Sequence, residues 1–199
     1  MSAVRYYDGL EVRSDREVDA ESARDLSPHA RAVFGAGDRL ERVELYDGER
    51  LFRVDYPDAD GDAVAEAHRR DYQDVPFTTR RVVRRDGALS WEAVRGYGAG
   101  GRAEDCTMIL QDEHGQGLME VTSGADGTLR EVLKYLWEEE ELSHLFTYDG
   151  AGELVDVADL EDGGTVRFED LRPYLDDPDF YATGLALPRE LAGSSIPDC

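Results

Sequence analysis

The 199 residues carry 45 Asp and Glu against 22 Lys and Arg, a formal net charge of −23, with 41% of the chain apolar and ten Tyr. A domain of about 150 residues already hides roughly 68–70% of its unfolded surface, so this composition builds a core and excludes global disorder. The charge weighs against direct DNA or RNA binding, because phosphates need Lys and Arg partners. No apolar run approaches the ~20 residues of a membrane-spanning helix.

Taken from the N-terminus, "MSAVRYYDGLEVRSDRE" lacks the apolar stretch of a secretory signal, which makes the cytoplasm the expected compartment. Residues 15–34 read as partly helical, with Pro28 breaking the helix or starting a turn. "LYDGERLFRV" reads as strand, turn and strand. "GDAVAEAHRRDY", residues 61–72, reads as a short helix. "GYGAGG" (96–101) is a turn between strands, and Thr107–Leu110 is a short strand. In 128–143, helix competes with strand, since Leu129, Val132, Leu133 and Leu136 have helical spacing. Residues 165–191 read as a helix broken by Pro173 and Pro178. A single domain is expected over 1–192, with a flexible tail at 193–199.

The dipeptide Asp-Gly, a favoured two-residue hairpin turn, occurs at Asp8, Asp47, Asp60, Asp86, Asp126, Asp149 and Asp162. Asp8, Asp47, Asp86 and Asp126 lie 39, 39 and 40 residues apart, and Asp162 follows after 36. These five are flanked by apolar residues in a strand–turn–strand pattern, and a period near 40 raises a repeat architecture. The glycines of the Asp149–Gly152 loop are assigned to the positive φ that tight turns require.

Local motifs for chemistry fail on their spacing. In "DYPDADGDAVAE" the first and twelfth positions of a calcium loop fall on Tyr56 and Ala67. "HRRDY" lacks the other parts of a kinase site, and "GYGAGG" lacks a following Lys-Ser/Thr. His29, His68, His114 and His144 show no zinc spacing. Cys106 and Cys199 are too few for a disulfide framework, and nothing in the sequence places them near each other; Cys106 reads as a small buried hydrophobe. No catalytic residue, metal ligand or cofactor is therefore nominated.

Charge does supply candidates. Arg80, Arg81, Arg84 and Arg85 form the densest basic stretch, and "WEEEEL" with Glu138 and Glu139 is its acidic opposite. On a strand, Arg81 with Arg85, or Arg80 with Arg84, share a face and make a docking surface or anion site; the competing reading pairs them with neighbouring acids. Trp91 and Trp137 read as core or hairpin-packing residues that anchor an interface where exposed.

"TYDGAGELVDV" (147–157), "LYDGERLFRV" (45–54) and "RYYDGLEV" (5–12) resemble the Tyr-Asp-x-x-Gly-x-Leu units of YD and MORN-like repeat proteins, over about a third of the chain. The resemblance implies a β-hairpin array that acts by binding, as in antitoxin and immunity-type proteins. It carries no functional residue across, and the irregular, partly helical inserts depart from it.

The expected fold is mainly β (α+β): an antiparallel meander of Asp-Gly hairpins with two or three helices, or alternatively a small β-propeller of ~40-residue repeats. The expected function is a non-enzymatic acidic module for a basic protein partner, with immunity or inhibition as its concrete form. The alternatives are an enzyme with a discontinuous carboxylate- or His-containing site, and a structural or self-assembling protein.

Overall fold

A computed structural model describes residues 3–138 and 140–198, without the side chain of Asp62. Along the chain run β1 (Ala3–Asp8), β2 (Glu17–Val18), α1 (Ala20–Arg24), β3 (His29–Phe34), β4 (Leu40–Asp47), β5 (Arg50–Pro57) and α2 (Gly61–Asp71). Then come β6 (Phe77–Asp86), β7 (Leu89–Tyr97), β8 (Ala103–Gln111), β9 (Gly117–Gly124), β10 (Leu129–Glu138), β11 (Glu141–Tyr148), β12 (Leu154–Asp159) and β13 (Gly164–Thr165). The short helices α3 (Phe168–Leu171) and α4 (Pro178–Ala182) follow. The fold is mainly β with mostly antiparallel pairing, as expected from the hairpin pattern. Its contacts gather in two compact units, Met1–Arg81 with Val94–Glu104, and Val82–Ala93 with Asp105–Cys199.

In the first unit β3 lies between β1 and β4, and β5 pairs with β4 on one side and in parallel with β6 on the other. A parallel pair needs a crossover, and α2 supplies it. Register places Tyr7, Ala30, Ala32, Val43 and Leu45 on one face of the sheet, where they form a core with Phe34. The opposite face carries Arg31, Glu44, Val54 and Phe77. Val64, Ala65 and Tyr72 from α2 and its C-terminal end pack on Val54, Phe77 and Tyr97. The helix starts at Gly61, where any Cβ would lie 1.7 Å from the Tyr97 Oη.

Residues 15–34 are helical only in part, as read, and the helix ends before Pro28. Only Ala20–Arg24 is α-helical, capped by Asp19 Oδ1, which accepts from the Glu21 and Ser22 amides at 2.9 Å. Beyond Pro28 the chain becomes β3, because β1 and β4 pair with it on both edges and its residues are buried on both faces. Helical periodicity cannot use two such faces.

In the second unit β8 through β12 pair each with the next, antiparallel, and β13 adds to β12. The ambiguity at 128–143 resolves as strand β10. Its alternate residues Val132 and Lys134 face the core, and they pair with Tyr148 and Phe146 of β11. The core gathers Trp91, Met108, Leu110, Met119, Val132, Phe146, Tyr148 and Val157, closed by Leu175, Phe180, Tyr181 and Leu191 from the helical C-terminal stretch. The break read at Pro173 and Pro178 is present: Pro178 opens α4, where its missing N–H costs no helical bond. Within the stretch read as a tail, Ser195 O accepts from Arg84 Nη1 at 2.7 Å and Ile196 packs against this core. Cys199 lies outside the described residues.

Asp-Gly marks reversals at Asp47, Asp86, Asp126, Asp149 and Asp162, between successive strands. Asp8 instead leads into the longer connection to β2, and Asp60 precedes α2. In the Asp149 loop the positive φ belongs to Gly152, at 81°, and not to Gly150. Gly150 is required by crowding: a Cβ there would sit 2.7 Å from the backbone oxygen of Leu129. Among the described residues no helix is long and apolar enough to cross a membrane.

Candidate functional site

The second unit holds a groove of about 550 Å³, built by the ends of β9 and β10 and by the helical C-terminal stretch. Its aromatic wall comprises Tyr135, Trp137, Tyr174, Phe180 and Tyr181, and its charged lining is Glu138, Asp176, Asp177, Arg189 and Glu190. Local sequence explains this mixture. The alternation of β10 ends in "YLWE", and "RPYLDDPD" puts aromatic and acidic residues around prolines that stop any long helix.

Hydrogen bonds fix the wall. Trp137 Nε1 donates to Gly117 O at 2.7 Å, Tyr181 Oη to Tyr135 O at 3.1 Å, and Tyr148 Oη to Tyr181 O at 2.7 Å. Asp177 Oδ2 accepts from the Arg189 amide at 2.9 Å, tying the two sides of the C-terminal stretch together. Burial pushes the Tyr181 phenol up to about 12, with Asp177 and Asp176 adding to it. Burial also raises Tyr135, helped by Glu120. These phenols stay neutral near pH 7, so the negative charge of the groove resides on its carboxylates.

Lys134, the only lysine, holds α4 in place. It is completely buried, and Nζ donates to Phe180 O, to Thr183 O at 2.8 Å and to Ala186 O at 2.7 Å. The rings of Phe180 and Tyr148 lie 4.1 and 5.4 Å from the ammonium. Burial drives Lys134 down to about 7, opposed by Asp177.

The first unit holds a different buried cluster. Glu44, 1% exposed, accepts from Arg31 Nη1 at 2.5 Å, Arg42 Nε at 3.1 Å, Tyr46 Oη at 3.0 Å and Tyr72 Oη at 2.5 Å. Burial pushes the carboxyl up, but the Tyr72 and Arg31 hydrogen bonds, the Arg31 charge and the Arg42 bond outweigh it and hold Glu44 below its ordinary value. Buried His68 places Nδ1 2.9 Å from Tyr56 Oη and Nε2 2.8 Å from Val75 O. The carbonyl can only accept, so Nε2 carries the proton and Nδ1 accepts from the phenol. Burial lowers its pKa, so the ring is neutral. Both groups are saturated: a carboxylate offers about four acceptor positions, and Glu44 has four donors.

The residues nominated by sequence are placed as follows. Arg80 and Arg81 belong to the first unit, Arg84 and Arg85 to the second. Arg80 is exposed and lines a smaller groove of about 440 Å³ with Arg53 and Asp55. Arg81 reaches Asp60 at 3.8 Å, Arg84 donates to Asp86 at 2.5 Å as well as to Ser195, and Arg85 is exposed. Trp91 is fully buried beneath the Arg84 guanidinium, 5.7 Å from its ring centre, and presents no surface. Trp137 and Glu138 are brought together in the acidic groove, while Glu139 lies outside the described residues. Sequence reasoning did not single out Tyr174, Asp176, Glu44 or Lys134. The signal for Lys134 was available: a lone lysine at an inward position of the apolar run "VLKYLW".

Charge divides unevenly. The first unit carries 15 Arg against 20 Asp and Glu, and the second 7 Lys and Arg against 25 Asp and Glu, together the 22 and 45 of the chain. Among the described residues no group of three His, Cys, Asp or Glu is arranged to hold a metal ion. No family model, curated protein or solved structure matches the chain.

Proposed function

We propose that this chain is a non-enzymatic protein-binding module whose second unit docks a basic protein partner. The observation that carries the reading is the groove with an aromatic wall and carboxylate lining, in the unit that holds 25 of the acidic residues and only 7 basic ones. Long-range attraction would accelerate encounter and orient the partner, and the aromatic side chains would hold it once water is displaced. Inhibition of a basic toxin or nuclease in the cytoplasm is the concrete form of this role. The same field repels phosphate, which favours a protein over a nucleic acid. The internal saturation of Glu44, His68 and Lys134 supports binding over catalysis, since acid–base chemistry needs a group within reach of substrate.

The test is association with a partner recovered at low salt from native lysate and then purified. Its on-rate should fall at least about tenfold as ionic strength rises over an order of magnitude. Amide exchange should slow in Tyr135–Trp137 and in 171–177. An on-rate indifferent to salt, or protection confined to the first unit, would remove the proposal.

A further inference from the structure

Resting on the protein-binding reading above, we infer that the groove is a receptor for an arginine side chain of the partner, gripped between the Tyr174 and Trp137 rings and the Asp176 and Glu138 carboxylates.

Tyr174 is 83% exposed, whereas every other Phe, Tyr and Trp is at least partly buried. It lines the same groove as Trp137, whose indole N–H is already spent on Gly117 O, so what the indole can offer a ligand is its π surface. Among the described residues Asp176 and Glu138 take part in no salt bridge. Arg189 is the one cation lining the groove among the described residues; its guanidinium lies 3.8 Å from the Asp177 carboxylate and 3.5 Å from the backbone oxygen of Asp176, and it forms no ion pair with the Asp176 or Glu138 carboxylate. A volume of about 550 Å³ exceeds what one side chain needs, so flanking residues of the partner enter with it.

Arginine fits better than lysine for a geometric reason. A planar guanidinium stacks on a ring while its edge donates to carboxylates; an ammonium is a strongly hydrated point charge. The chain makes the same arrangement for itself in the first unit. There Arg5 lies 4.6 Å from the Phe34 ring centre while Nη2 meets Asp38 Oδ1 at 2.8 Å.

The experiment compares a blocked tetra-arginine peptide with a blocked tetra-lysine peptide, by calorimetry and by tryptophan fluorescence at low salt. Trp91 is buried, so a fluorescence change on titration reports Trp137. Tetra-arginine should bind at least about fivefold tighter than tetra-lysine. Y174A and D176N should each weaken it about fivefold, near 1 kcal/mol apiece. D162N, which removes one exposed charge outside the groove, should leave the affinity within about twofold. Equal binding of the two peptides, undetectable binding of tetra-arginine, or insensitivity to Y174A overturns the inference. Both substituted groove positions are exposed, so loss of folding does not confuse the result. Should tetra-arginine bind as stated while the purified partner associates without salt dependence, the module reading fails and the groove assignment stands; the opposite pattern leaves the module and removes the groove.

Discussion

Glu44 in the first unit satisfies its charge with side chains, two of them cationic, whereas Lys134 in the second satisfies its charge with three backbone carbonyls. The consequences differ. Four side chains converging on Glu44 lock a sheet face whose strands are already paired, so the network adds rigidity to structure that β-pairing has defined. The carbonyls on Lys134 come from residues 180–186, most of which lie outside any regular element, so the ammonium substitutes for missing secondary structure. In the first unit the buried charge is an ornament on a sheet; in the second it holds the groove wall.

The comparison is broken most directly at Glu44. E44L should destabilise the protein by about 3–5 kcal/mol, because Arg31 and Arg42 lose the anion that offsets their desolvation. A urea midpoint shift equivalent to less than about 1 kcal/mol would show that solvent takes over. K134M comes next, at about 2–3 kcal/mol, from orphaned carbonyls that the thioether cannot satisfy. Its distinctive sign is local: amides of 178–186 should exchange faster while those of the first unit keep their protection. Uniform loss of protection would mean that Lys134 supports the core generally and not the C-terminal stretch in particular.

Both charges make stability rise with pH, but in different windows. Glu44 is held below its unfolded value of 4.5, so the stability it contributes is full above that value and is lost as the pH falls through the lower folded one. Lys134 is held at about 7, below its unfolded 10.5, so between these values the unfolded chain binds more protons and stability rises with pH. Chemical denaturation from pH 7 to about 10 should show that rise in the wild type and a flat profile in K134M. A smaller effect sharpens the same picture. G150A forces a Cβ toward Leu129 O in the second unit and should cost about 1–2 kcal/mol, read from the thermal midpoint. Substitution of Gly48, whose Cβ would enter open space, meets only the strain of φ 58° and should cost about 1 kcal/mol or less.

Local signals located five of the seven Asp-Gly reversals between strands, the helix at 61–72 and the proline-broken stretch near the C-terminus. They did not reveal the strand at His29–Phe34 and were undecided at Leu129–Glu138, segments whose conformation depends on strands pairing at both edges. For the groove, Trp137 and Glu138 stood out by residue type and charge, but Tyr174 and Asp176, some 35 residues later, did not. Nothing local distinguishes an exposed tyrosine at a groove rim from any other tyrosine.

Glycine geometry, proline and helix capping act over a few residues, and for that reason the amino-acid sequence by itself determined where this chain turns, where α2 runs and that the protein is acidic. Tertiary structure alone decided that Glu44 meets four donors and that Lys134 clasps a segment some fifty residues away. Such contacts depend on strand register and on burial, which raises the energetic weight of every charge it encloses. A turn is specified by its own residues; a groove exists only once distant residues share a wall.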